Sequence, residues 1–126
     1  MNDELLARVE REVLGWPGVF KKRDEDGVGG IGVTGYRYGE DPEVGGPQIG
    51  HVHDNDHADF RFPGEVRDEL IDSGRVIAHP AFTNSRTTVS YRIRGAEDVP
   101  KVLELFRMNY ERLKEAAEQK AELREE

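Results

Sequence analysis

The chain has 126 residues, with 18 Lys and Arg against 26 Asp and Glu, four His and no Cys, a size that supports one hydrophobic core and hardly two. A net charge of −8, 35% charged residues and a mean hydropathy of −0.74 demand a heavily solvated surface. The absence of Cys excludes disulfides and thiolate chemistry, and the negative charge repels a phosphate backbone, which argues against nucleic acid as a partner. No stretch approaches the roughly 18 uncharged apolar residues of a membrane span, and the acidic start Met1-Asn2-Asp3-Glu4 lacks the basic and apolar parts of a secretion signal, so the expectation is a soluble cytoplasmic protein.

Residues 2–14 place Leu5, Leu6, Val9 and Val13 at helical spacing, and Gly15 and Pro17 stop that helix. Val19-Phe20 then reads as a short strand running into a charged turn, where Lys21-Lys22-Arg23 is answered by Asp24-Glu25-Asp26. A Gly-rich strand follows at Val33-Thr34-Gly35-Tyr36-Arg37-Tyr38, and residues 39–47 form a loop with two Pro and three Gly. Residues 49–62 look like a hairpin around Asp54-Asn55-Asp56. Pro63 suits the first turn of a helix carrying Val66, Leu70 and Ile71, and Gly74 ends it. Strands are expected at residues 75–79, broken by Pro80, and at residues 87–94. Gly95 and Asp98 start the last helix, whose stripe is Val99, Val102, Leu103, Phe106, Tyr110, Leu113 and Ala117. Beyond Leu113 the helix formers carry little apolar mass, so residues 114–126 are expected to overhang, or to pack on a second copy of the chain as a homodimer. Neither repeats nor a linker divide the sequence, and residues 1–126 read as one domain.

Three of the four His fall within seven residues, in Gly50-His51-Val52-His53-Asp54-Asn55-Asp56-His57-Ala58-Asp59. With Asp54-Asn55-Asp56 as a three-residue loop, His53 lies opposite His57 and His51 opposite Asp59. Cross-strand partners share a face, so His51, His53, His57 and Asp59 gather on one side, while Val52, Ala58, Phe60 and Phe62 make the other side apolar. A slip of one residue destroys both halves of the pattern, which argues for this register. Three imidazoles and a carboxylate suit a divalent transition metal, with His51, His53, His57 and Asp59 as its ligands. They equally suit metal-free acid/base or ligand-binding work, or a plain solvated sheet face.

In Thr88-Val89-Ser90-Tyr91-Arg92-Ile93-Arg94 the apolar positions Val89, Tyr91 and Ile93 alternate with polar ones. Packed on the same core, this strand sends Arg92 and Arg94 to the His side, where paired Arg would suit a carboxylate, enolate or phosphate. His79, at a strand end, is a further candidate. Gly27-Val28-Gly29-Gly30-Ile31-Gly32 fits G-x-G-x-x-G but has a charged run before it and a strand after it, the reverse of a dinucleotide fold, so no nucleotide cofactor is expected. Asp54, Asp56 and Glu65 fit three positions of a calcium loop, yet Pro63 interrupts it and Asp59 stands where its turn Gly belongs. The Ser residues lack a nucleophile elbow.

From Gly50 to about Leu113 the chain is similar to the fungal-luciferase-like family. The elements that match are Gly50-His51-Val52-His53, Ala58-Asp59, the helix Val66-Arg67-Asp68-Glu69-Leu70-Ile71 closing at Gly74-Arg75, then His79, Val89-Ser90-Tyr91-Arg92-Ile93-Arg94, and Asp98-Val99 leading to Leu105-Phe106-Arg107-Met108-Asn109-Tyr110; the Trp16-Pro17-Gly18-Val19 turn fits as well. Two positions differ from the family pattern: Asp54 follows the second His where Gly is usual, and Thr88 precedes the Val-Ser pair where Trp is usual. The resemblance implies a shared fold and pocket, and for the fungal members oxidation of a hydroxypyrone luciferin by molecular oxygen.

The expectation is therefore a two-layer α+β domain, an antiparallel sheet with N-terminal, middle and C-terminal helices on its apolar face. Its polar face carries a small-molecule site in which His51, His53, Asp59 and Arg92 do the chemistry while His57, His79 and Arg94 hold the ligand. A non-catalytic binding module, or a metal-binding protein using the His cluster, is the alternative.

Overall fold

The computed structural model describes residues 3–27, 30–39, 41–80 and 84–125. Asn2, at the expected start of the first helix, and Val28 and Gly29 of the Gly-rich run lie outside the described residues. Three helices and six strands follow one another as α1 (Asp3–Leu14), β1 (Val19–Asp24), β2 (Val33–Tyr38), β3 (Gln48–His53), β4 (His57–Arg61), α2 (Gly64–Asp72), β5 (Ile77–Ala78), β6 (Thr88–Arg92) and α3 (Asp98–Glu125). The strands form one sheet in the order β1-β2-β3-β4-β6-β5, with every neighbouring pair antiparallel. This is the α+β architecture expected from the alternation of the strands.

Period-two alternation decides what lies beneath the sheet. Val52, Ala58, Phe60 and Val89, joined by Ile49 where the β2–β3 register shifts, are buried with Val9 and Val13 of α1, Leu70 of α2, and Val102, Leu105 and Phe106 of α3 in a single core. Phe106 lies edge-on to Tyr36 and Phe60, with ring centroids 5.6 and 4.8 Å away. The predicted α3 stripe is too narrow, because Leu105 and Asn109 are also buried; α3 packs on α1 as well as on the sheet, so two sides of it are covered. From Glu115 to Leu123 the helix is exposed, as its lack of apolar mass implies.

Gly50 marks the closest approach between sheet and helix. A Cβ there would stand 2.7 Å from the Phe60 ring and 2.9 Å from Phe106. Gly50→Ala is expected to destabilise the fold by about 1–3 kcal/mol through overpacking, read as a lower urea midpoint; an unchanged midpoint would contradict the packing described here.

Three expected boundaries move, each for a local reason. β1 extends through Lys21, Lys22 and Arg23, since an edge strand tolerates charge and the triplet need not turn. β5 has two residues where five were expected, lying at the sheet edge with Pro80 just beyond. β6 stops at Arg92 because the next amides are engaged elsewhere: Ile93 N–H donates to the Asp56 carbonyl at 2.8 Å, and Arg94 N–H to the Asp98 carboxylate at 2.7 Å. None of the described helices is long and apolar enough to cross a membrane.

Candidate functional site

The face of the sheet opposite the helices is built from one row of paired residues that crosses all six strands. Lys22 pairs with Gly35, Gly35 with His51, His51 with Asp59, Asp59 with Ser90, and Ser90 with Ile77. Directly paired residues point to one side, so the hairpin register read from the sequence puts His51 over Asp59, and β6 adds Ser90 beside them. His53 follows two residues after His51, and His79 two residues after Ile77, on the same side.

These groups converge on one oxygen. Asp59 Oδ2 lies 3.1 Å from His51 Nε2, 2.8 Å from His53 Nε2 and 3.2 Å from His79 Nε2. The other oxygen, Oδ1, accepts a short hydrogen bond from the Ser90 hydroxyl. The Asp59 side chain is only 3% exposed, whereas the three imidazoles are partly open to solvent; the carboxylate is thus a buried floor and the rings its rim. Burial pushes the Asp59 carboxyl upward, but hydrogen bonds from His51, His53 and Ser90 outweigh it and hold the group well below the usual carboxylate range.

Further contacts fix the cluster from outside. His51 Nδ1 is 2.8 Å from Gln48 Oε1, and Gln48 reaches that side because the β2–β3 register shifts between Tyr36 and Arg37. The β3–β4 turn is closed by Asp56 in the left-handed conformation, φ 72°, and tied to the far edge of the sheet by Asp54, whose two carboxylate oxygens accept from Arg23 Nη1 and Nη2 at 3.1 and 2.7 Å. Hydrogen bonding from Arg23 holds the Asp54 carboxyl below its ordinary value. Asp54, one of the two departures from the family pattern, therefore has a structural partner in this chain.

Above the cluster lies an open cavity of about 960 Å³ lined by His51, His53, His57, Asp59 and His79 together with residues of β1, β2 and β6. Not every residue singled out from the sequence meets there. His57 lines the cavity but stands one row further toward the turn, opposite Arg92. The group whose donor atoms converge as metal ligands contains His51, His53 and Asp59, with His79 on the same carboxylate oxygen. Arg92 shares the polar side through that pairing, yet its side chain is exposed and outside the cavity lining. Arg94 lies past the end of β6, its backbone tied to Asp98 at the start of α3; this corrects the expected pair of Arg beside the His cluster.

The cations that do line the cavity are Lys22, Arg23, Arg37 and Arg61. Arg37 is the most informative of them: its Nη1 donates to the Gly46 carbonyl at 2.9 Å, while its buried Nε has no hydrogen-bond partner among the described residues. The alternation Val33, Gly35, Arg37 against Thr34, Tyr36, Tyr38 places Arg37 on one face in the sequence itself. What the sequence lacks is the pairing of β2 with β3, which brings that face beside the histidines.

No curated protein and no solved structure matches the chain. A family model described as the Luciferase domain matches residues 46–109, half of the chain, running from the approach to β3 through β4, α2, β5 and β6 into the buried first half of α3. The segment that supplies His51, His53, Asp59, His79 and Ser90 is thus the segment the family shares, and this chain belongs to the Luciferase domain family.

Proposed function

We propose that the domain binds a small anionic or enolic organic molecule in the open cavity and promotes its oxidation by molecular oxygen. The observation that carries this reading is the convergence of three imidazoles on one buried carboxylate oxygen at the floor of a cavity large enough for a drug-sized ligand. Enols and phenols react with oxygen through their anions, so the site's task is to hold the anion and take up its proton. The imidazoles suit that proton, and the Nε donor of Arg37, without a partner among the described residues, suits the charge. The family resemblance favours hydroxypyrones as the first ligands to try, and Thr88, which lines the cavity where the family has Trp, supports a ligand bulkier on that side.

Oxygen uptake and light emission with a panel of hydroxy-2-pyrones test the reading. The parent is expected to consume oxygen above the buffer rate, and His53→Ala to slow it by about 10²-fold or more. Arg37→Gln is expected mainly to raise KM. Uptake at the parent rate by the His51→Ala, His53→Ala double variant, or no uptake by the parent with any member, would overturn it.

A further inference from the structure

We infer that the cluster is a mononuclear metal centre, in which Nε2 of His51, His53 and His79 and one carboxylate oxygen of Asp59 take a divalent first-row transition ion. The inference rests on the polar face being the reactive site and specifies what its centre holds.

Distances come first. Two donors, each about 2.1 Å from an ion, stand about 3.0 Å apart at right angles and about 3.4 Å apart in a tetrahedron. The three imidazole-to-carboxylate separations are 2.8, 3.1 and 3.2 Å. The donor atoms of His51, His53 and Asp59 all lie within 4.8 Å of one another, against the roughly 4.2 Å spanned by two opposite ligands. Those three can therefore seat an ion by a small inward movement of side chains, while His79, on the same carboxylate oxygen but outside that group, must move further to join them.

Charge gives a second argument. Buried carboxylates are paired with cations or coordinate metals. Among the described residues, the ion-pair partners of Asp59 are these imidazoles and no Lys or Arg, although four basic side chains line the same cavity.

The outer contacts give a third. Gln48 Oε1 lies 2.8 Å from His51 Nδ1, the arrangement that metal-ligating groups adopt, an imidazole whose second nitrogen is held by a carbonyl oxygen. Asp59 follows it too: Ser90 occupies Oδ1 and leaves Oδ2 for the ion. Three nitrogens and one oxygen without sulfur favour Zn, Fe, Co or Ni over Mg or Ca. Four protein donors leave room toward the cavity for a water or a substrate oxygen.

The test uses Co²⁺ as probe and the full chain without a His tag. The expected result is a visible d–d absorption band that saturates at one ion per chain, and stoichiometric transition metal in the protein as purified. Gln48→Leu, which only releases His51, should weaken Co²⁺ binding about 10–100-fold; His53→Ala and His79→Ala should weaken it more, with circular dichroism showing each variant folded. A band that does not saturate, or that survives at parent affinity in the folded His51→Ala, His53→Ala variant, overturns the metal centre. Chelated protein that takes up no stoichiometric Co²⁺ and still consumes oxygen with a hydroxypyrone at the parent rate overturns the metal centre and leaves the oxidation reading standing. Stoichiometric Co²⁺ binding that requires His53 and His79, in protein inert to every hydroxypyrone, supports the metal centre and overturns the oxidation reading.

Discussion

Asp59→Asn is expected to cost about 2–4 kcal/mol of stability, a fall of roughly 10 °C in the thermal midpoint of a domain this size, and to abolish both oxygen uptake and Co²⁺ binding. The substitution keeps the shape of the side chain and removes its charge, so the loss isolates the electrostatic part of the site. In the native chain one oxygen is approached by three imidazoles and the other by the Ser90 hydroxyl. An amide can present its carbonyl to one of those groups, and it then turns its NH₂ toward the other. Either orientation sets donors against donors or leaves a buried partner unsatisfied, which is where penalties of this size arise. Differential scanning calorimetry and oxygen uptake on the same preparation read both effects. A variant as stable as the parent would mean that the carboxylate at 3% exposure is not the anchor of the cluster.

The second large effect is expected away from the cavity. Asn109 on α3 is fully buried; its amide nitrogen donates to the Ile49 carbonyl of β3 at 2.7 Å and to the Arg61 carbonyl of β4 at 3.0 Å. Its Oδ1 accepts from Arg112 Nη2 at 2.7 Å and Nε at 3.0 Å. One side chain thus joins the helix layer to both strands of the hairpin. Leucine fills nearly the same volume without a donor, so Asn109→Leu removes the donor shared by the buried Ile49 carbonyl and the part-buried Arg61 carbonyl, at about 1–3 kcal/mol each. The expected result is a lower urea midpoint at unchanged slope, corresponding to about 2–5 kcal/mol in all. Since Ile49 and Arg61 each lie two residues from the row holding His51 and Asp59, cavity function should weaken too, but less than with Asp59→Asn. A midpoint shift under about 0.5 kcal/mol would place Asn109 with ordinary surface positions instead.

How far the sequence discloses the site depends on whether a residue's neighbours are local. The His51–Asp59 pairing was readable because a three-residue loop fixes a hairpin register and the apolar residues of both strands check it. Ser90 was readable as a polar-face residue by the alternation of β6, though its place directly beside Asp59 follows from β6 docking on β4, a contact between distant parts of the chain. Arg94 was misplaced because strand alternation continues past Arg92 in the sequence, while two amides beyond it find acceptors in Asp56 and Asp98. The Asp98 carboxylate is itself suited to that role: burial pushes it upward, but bonds from Tyr91 and from the Arg94 and Gly95 amides hold it below its ordinary value. Gln48 reached the site through a register shift that leaves no mark in composition or period, and Arg37 through the pairing of β2 with β3. Asn109 was hidden for the opposite reason, since a polar residue in an apolar stripe reads as a gap until the free carbonyls it serves are seen.

The row that carries the site takes one residue from each of six strands, and Asp59 and Ser90 stand 31 positions apart. The β3–β4 hairpin alone carries His51, His53 and Asp59, while Ser90 and His79 come to the same carboxylate from remote segments. The cluster is therefore completed only by contacts between distant parts of the chain, the kind that form slowly. Activity and metal affinity should reach the parent level during refolding only together with the completed sheet, and an isolated hairpin should fall short of both.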